Sequence, residues 1–179
     1  METLEWNELL ATGIKEIDEQ HKRIVEIVNQ LRDAIERGEA EAADVALLQM
    51  LDYTIYHFEY EETLLEKSGY YLLPLHRRVH QLFIRRIPEF QRRYAAGENV
   101  LHEVHEMLAR WLVHHIQNDD RGYAPTVKAY LMREAQQNPS HYSNTSPLPL
   151  QEIEPPAKEN PRSWRKLWSR LSSFLSEDV

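Results

Sequence analysis

The sequence predicts an all-α protein, an up-down-up-down four-helix bundle followed by a linker and a short amphipathic C-terminal helix. Three observations predict it. Within residues 1–137, segments repeat apolar or histidine side chains at alternating steps of three and four; glycines separate those segments; and strand-like alternation is absent. A seam with a period near 3.5 is what a helix presents when its neighbours run almost parallel or antiparallel to it.

The first segment carries Ile17, His21, Ile24, Val28, Leu31 and Ile35 and ends before Gly38. The second carries Leu47, Met50, Thr54, His57, Glu61 and Leu64 and ends before Gly69. The stretch Tyr70-Tyr71-Leu72-Leu73 that follows is apolar for a connection, suited to packing over the bundle end or to a contact surface. The third segment carries His76, His80, Phe83, Ile87, Phe90 and Tyr94, with Pro88 inside it. A proline there removes a backbone hydrogen bond and is expected to kink the helix two turns beyond His80. The fourth carries Leu101, Val104, Leu108, Trp111 and His115, with Gly122 and Pro125 marking a break or bend beyond.

Six of the nine prolines (Pro139, Pro147, Pro149, Pro155, Pro156 and Pro161) crowd a short stretch with Ser, Asn and Thr between them. The domain is therefore expected over residues 1–137, a Pro-rich linker over 138–160 and a basic tail over 161–179. In the tail, Trp164, Leu167, Trp168, Leu171, Phe174 and Leu175 share one helical face, while Arg162, Arg165, Lys166 and Arg170 fall elsewhere. At about 1.5 Å per residue the tail is too short, and too charged, to cross a bilayer. Three occupants suit it: an anionic membrane surface, a groove on a partner protein, or the acidic bundle itself.

The net charge of −8 argues against nucleic acid as the partner, because phosphate binding needs an excess of Lys and Arg. The absence of cysteine excludes disulfides, thiolate-ligated haem, iron–sulfur clusters and Cys-based zinc sites. The first ten residues carry Glu2, Glu5 and Glu8 with no basic lead into an apolar run, unlike a secretory signal. The expected address is the cytoplasm, with peripheral membrane association open through the tail.

The chemistry lies in the seams. His57 and Glu61 are four residues apart, as are His76 and His80, and that spacing puts both members of each pair on one helix face. His21 and His115 add one side chain each from the first and fourth helices. One histidine on an apolar stripe is most often a hydrogen-bonded core residue. Five histidines and a glutamate converging from four helices are different, since burying them without partners costs several kcal/mol each, while a whole domain is stable by only about 5–15 kcal/mol. A metal centre removes the difficulty, and the number of ligands exceeds the four that one zinc needs, which points to two metals bridged by carboxylates. The second bridge is either Asp120, five residues after His115, or Asp119 at the easier spacing of four. Asp120 requires the helix to end or bend near residues 117–119, because five residues of α-helix swing a side chain by about 140°.

The set His21, His57-Phe58-x-x-Glu61-Glu62, His76-x-x-x-His80 and His115-Ile116-x-x-x-Asp120-x-x-Tyr123 resembles the hemerythrins, the bacterial ones in particular, over about residues 6–131. The resemblance implies Asp120 rather than Asp119. It implies two non-haem iron ions with an oxo or hydroxo bridge, with Glu61 and Asp120 bridging. His76, His80 and His115 would complete one iron; His21 and His57 would hold the other and leave a position for dioxygen. It also implies an apolar pocket wall of Ile24, Phe58, Trp111 and Ile116, which excludes water and protons. His102, His105 and His114 lie off the seam and are expected in solvent.

Reversible dioxygen binding, for carriage, storage, delivery or sensing, is the expected function, and not enzymatic turnover. Oxygen-activating di-iron bundles build their sites from Glu-x-x-His repeats, and no histidine here has a Glu three residues before it. The alternatives are a di-iron oxidase, peroxidase or nitric oxide reductase, and an oxygen-responsive switch acting through the tail.

Overall fold

A computed structural model of the chain describes residues 1–137. The linker and tail expected over 138–160 and 161–179 lie outside the described residues. Helix α1 spans Lys15–Arg37, α2 Ala40–Ser68, α3 Leu73–Ile84, α4 Ile87–Ala95, α5 Leu101–His115 and α6 Arg121–Gln137. A π-helical turn, Ile116–Asp120, joins α5 to α6, and a 3₁₀ turn, Glu8–Leu10, precedes α1. There is no strand among the described residues. The four long rods of the bundle are α1, α2, α3 with α4, and α5 with α6. α1 packs along α2 and against α5, and α2 also packs against α3 and α6.

The ends of α1 and α2 are set by glycine. Gly38 (φ +69°) and Gly69 (φ +72°) take the left-handed conformation that side chains resist. Behind each, a six-to-one hydrogen bond closes the helix: Glu39 N–H to Ala34 O at 2.9 Å, and Tyr70 N–H to Leu65 O at 3.0 Å. Both turns reverse the chain within a few residues and fix an antiparallel neighbour.

The third rod is broken rather than kinked. Pro88 has no N–H to return to Ile84, so α3 ends at Ile84, tightens through Arg86 N–H to Phe83 O at 3.0 Å, and a new helix starts at Ile87. His76 and His80 lie upstream of the break. In the connection before α3, Tyr70 is buried against Tyr123 (ring centroids 6.1 Å apart), whereas Tyr71 is 81% exposed.

The apolar core falls into two clusters. One contains Ile24, Phe58, Phe83, Leu112 and Ile116, and the other Ile17, Leu65, Leu73, Tyr123 and Val127. Along every rod the chain passes from one cluster to the other through polar side chains: His21 between Ile17 and Ile24, Glu61 between Phe58 and Leu65, His76 and His80 between Leu73 and Phe83, Asp120 between Ile116 and Tyr123. A polar layer thus cuts the bundle core in two. No helix among the described residues is long and apolar enough to cross a membrane.

Candidate metal centre

All seven side chains singled out in the sequence meet in that layer. His21, Glu61, His80 and Asp120 are 0% exposed, His57 and His115 1%, and His76 4%. α1 supplies His21; the loop before it is pinned one turn earlier, where Asp18 accepts from Thr12 N–H and Oγ1 at 2.8 Å and from Gly13 N–H at 2.9 Å. α2 supplies His57 and Glu61, α3 His76 and His80, and α5 His115.

Asp120 reaches the layer because the chain is not α-helical between it and His115. The π-helical turn takes one extra residue into the turn, and five residues then bring two side chains to the same side. Asp120 Oδ1 lies 3.0 Å from His115 Nε2. Asp119, the competitor, faces the other ring nitrogen, its Oδ2 lying 3.0 Å from His115 Nδ1.

Each carboxylate is shared. Glu61 Oε1 is 3.4 Å from His76 Nε2, while Oε2 is 3.3 Å from His80 Nε2 and 3.5 Å from His57 Nε2. Asp120 Oδ1 faces His115 and His76 (3.7 Å), and its Oδ2 faces His21 Nε2 at 3.3 Å. Two pairs of imidazole nitrogens also point at one another, His21 and His57 at 3.1 Å and His80 and His115 at 3.0 Å. That spacing is roughly the edge between neighbouring nitrogens around a metal at about 2.1 Å from each. Glu61, His76, His80 and His115 each offer a ligand atom within 4.8 Å of the others.

These residues fit a cation and are ill-suited to its absence. Both oxygens of Glu61, both of Asp120 and Nε2 of His76 are buried without a hydrogen-bond partner among the described residues. Burial raises Asp120 well above the usual carboxylate range, and the negative Glu61 beside it adds to that. Burial opposes ionisation of Glu61 too, but the imidazoles of His76, His80 and His57 overcome it and hold Glu61 well below its ordinary value. Two carboxylates this close do not both ionise unless positive charge lies between them. Burial lowers His21 to about 4 and His115 to about 3, and keeps His57 well below 6.5, so these rings are neutral and ready to donate a lone pair.

Outer partners aim the rings. His80 Nδ1 lies 2.7 Å from Glu62 Oε1, His57 Nδ1 2.9 Å from Gln20 Oε1, and Arg77 Nε donates to the far oxygen of Glu62 at 3.2 Å. With each Nδ1–H engaged outward, Nε2 is turned inward. The sequence reading missed Gln20, Glu62 and Asp119 in this role. The signal available was position: each lies beside a seam residue on its own helix.

Residues 12–127 match the hemerythrin HHE cation binding domain, a span that contains all seven side chains. The bacteriohemerythrin of Pseudomonas aeruginosa is 47% identical over 128 residues, covering 72% of this chain and 84% of that protein. The chain belongs to the hemerythrin family. The bacteriohemerythrin of Stenotrophomonas maltophilia is 41% identical over 140 residues, covering 78% of this chain and 92% of that one. A crystal structure of a hemerythrin point mutant superposes with a TM-score of 0.66 at 29% identity, covering 71% of this chain and 98% of that chain.

In this chain a narrow cavity lies against the polar layer. Ile24, Phe58 and Trp111 line it, together with Val28, Met50, Thr54, Phe83, Leu108, Leu112, His57 and His115. Ile116, the fourth expected wall residue, is fully buried but is not in this wall. Aromatic rings hold two of the histidine rings in place from that side: Phe58 stacks on His80 (3.7 Å, 5°) and Trp111 on His115 (4.4 Å, 16°). His102 and His114 are exposed as expected, but His105 is not: it is 3% exposed, with neither ring nitrogen partnered. α5 packs on α1 as well as carrying the seam, so its buried face is wider than one stripe.

Proposed function

We propose that this chain binds dioxygen reversibly at two iron ions held in the polar layer. Glu61 and Asp120 would be shared by the pair: each turns one oxygen toward His76, while Asp120 Oδ2 faces His21 and Glu61 Oε2 faces both His57 and His80. His76, His80 and His115 would hold one iron, and His21 and His57, offering fewer ligands, would hold the other. The bound iron pair supplies the electrons and the vacant position that take up dioxygen.

The observation that carries the reading is the cavity beside His57 and His115. Apart from those rings, the one polar side chain in its wall is Thr54, whose hydroxyl donates to Met50 O at 2.8 Å. A small apolar molecule enters such a space without displacing hydrogen-bonded water, and protons find no carrier in it. A wall without a free acid or base suits holding a ligand rather than turning it over.

The test is optical. Iron-loaded protein, reduced and then exposed to air, should gain a charge-transfer band that disappears under vacuum and returns with air over repeated cycles. Irreversible oxidation in a single exposure would contradict reversible binding.

A further inference from the structure

The proposed ligands are not backed alike. His80 Nδ1 faces the carboxylate of Glu62 at 2.7 Å, and His115 Nδ1 faces the carboxylate of Asp119 at 3.0 Å. His57 Nδ1 faces the neutral amide oxygen of Gln20 at 2.9 Å, and His21 Nδ1 is buried without any partner. When Nε2 holds a metal, Nδ1 carries hydrogen and donates it outward. A charged acceptor draws on that hydrogen more strongly than an amide does, leaving more electron density on Nε2 for the metal.

On the ligand grouping proposed above, both carboxylates stand behind the His76–His80–His115 iron and neither stands behind the His21–His57 iron. We infer that Gln20, Glu62 and Asp119 make the two irons electronically unequal, with Gln20 keeping the iron that has the open position the poorer in electron density. Glu62 is fixed for this task, since Arg77 Nε holds its other oxygen at 3.2 Å and so offsets part of its charge without displacing it. Among the described residues Asp119 has no such cation in contact, and its one ion-pair partner there is His115 itself. Gln20 is 5% exposed, so water does not dilute the difference between an amide and a carboxylate at that position.

These three are positioning residues whose charge is read by the metals, and the inference rests on the di-iron reading. The experiment compares full-length iron-loaded protein with two near-isosteric variants, Gln20→Glu and Glu62→Gln, by iron content and by spectroelectrochemical midpoint potential. Gln20→Glu adds a carboxylate behind the open iron and should lower the potential. Glu62→Gln removes one from behind the other iron and should raise it, while loosening iron by about tenfold. Shifts of opposite sign are what loss of orientation alone does not produce. Unchanged potentials, or shifts of the same sign, in proteins that hold about two irons overturn this inference and leave the di-iron reading standing. Wild-type protein that takes up no iron overturns both. If Gln20→Glu does not fold, the sign of the Glu62→Gln shift decides alone, and a fall overturns the inference.

Discussion

His115 and Asp120 stand five residues apart in the chain, yet Nε2 of one lies 3.0 Å from Oδ1 of the other. A regular α-helix would turn them about 140° away from each other. The π-helical turn Ile116–Asp120 closes that gap, and it does so inside a long rod that otherwise keeps α-helical geometry on both sides. A wide turn of this kind is less favourable than the helix it interrupts, and it persists here beside a layer of buried histidines and carboxylates. The same turn hands Asp119 to His115 Nδ1, so the two neighbouring carboxylates take different tasks on one ring.

That division of labour separates two variants. Asp120→Ala should leave the protein with at most one tightly held iron. Asp119→Ala should keep the capacity for two, with affinity lowered about 10–100-fold as for other lost outer partners. Iron content after dialysis against a graded chelator measures both; equal loss in the two variants would undo the assignment of Asp120 as a bridge.

Phe58 links packing to chemistry. It is fully buried, stacks on His80 and meets Trp111 edge-on at 5.6 Å. Phe58→Ala should cost about 3–5 kcal/mol in urea unfolding. It should also admit water to the cavity and hasten loss of the oxygenated band in air. A variant as slow to bleach as the wild type would show that Phe58 packs the core without guarding the site.

His105 makes the opposite case. Its ring is buried with both nitrogens unpartnered, and burial, together with the positive Arg32 and N-terminus nearby, lowers its pKa. His105→Leu should therefore stabilise the fold by about 1 kcal/mol, with iron content unchanged. A drop in the urea midpoint would mean that the ring has a partner it depends on.

Acid should weaken the metal-free protein. The unfolded imidazoles of His21, His57 and His115 take protons as pH falls below 6.5, while burial holds the folded ones at about 4 for His21, about 3 for His115, and well below 6.5 for His57. Their stabilisation is full above pH 6.5 and is lost progressively as pH falls toward 4 and then 3. Two groups act with the opposite sign. The negative Glu61 and Glu62 carboxylates overcome burial to raise His80, and burial with the Glu61 charge raises Asp120. With His105 lowered as well, four lowered histidines against these two give a net decline between pH 6.5 and 4. A urea midpoint that rose over that interval in chelator-treated protein would reverse the sign.

Much of this was legible in the chain because two periodicities coincide. The seams that predict four helices also carry His21, His57, Glu61, His76, His80 and His115, so one pattern yields both the bundle and the site. Asp120 was legible only through family resemblance, because spacing alone favours Asp119 and a π-helical turn leaves no periodic signature. Between α3 and α4 the sequence predicts a kink from the missing N–H of Pro88; the structure instead ends α3 outright, because Arg86 N–H tightens onto Phe83 O before the proline is reached. Gln20 and Glu62 do not declare their roles in the sequence, because a polar residue beside a seam reads as a solvated flank until its partner is located across the bundle; Asp119 is legible there only as a competitor of Asp120. His105 failed for a related reason, since a single stripe underestimates a helix that buries two faces.

Anomalous diffraction at the iron edge from crystals of iron-loaded protein tests the central claim most directly. Two peaks roughly 3.5–4 Å apart should lie between Glu61 and Asp120, one flanked by His76, His80 and His115 and the other by His21 and His57. A single peak, or peaks away from both carboxylates, would contradict it.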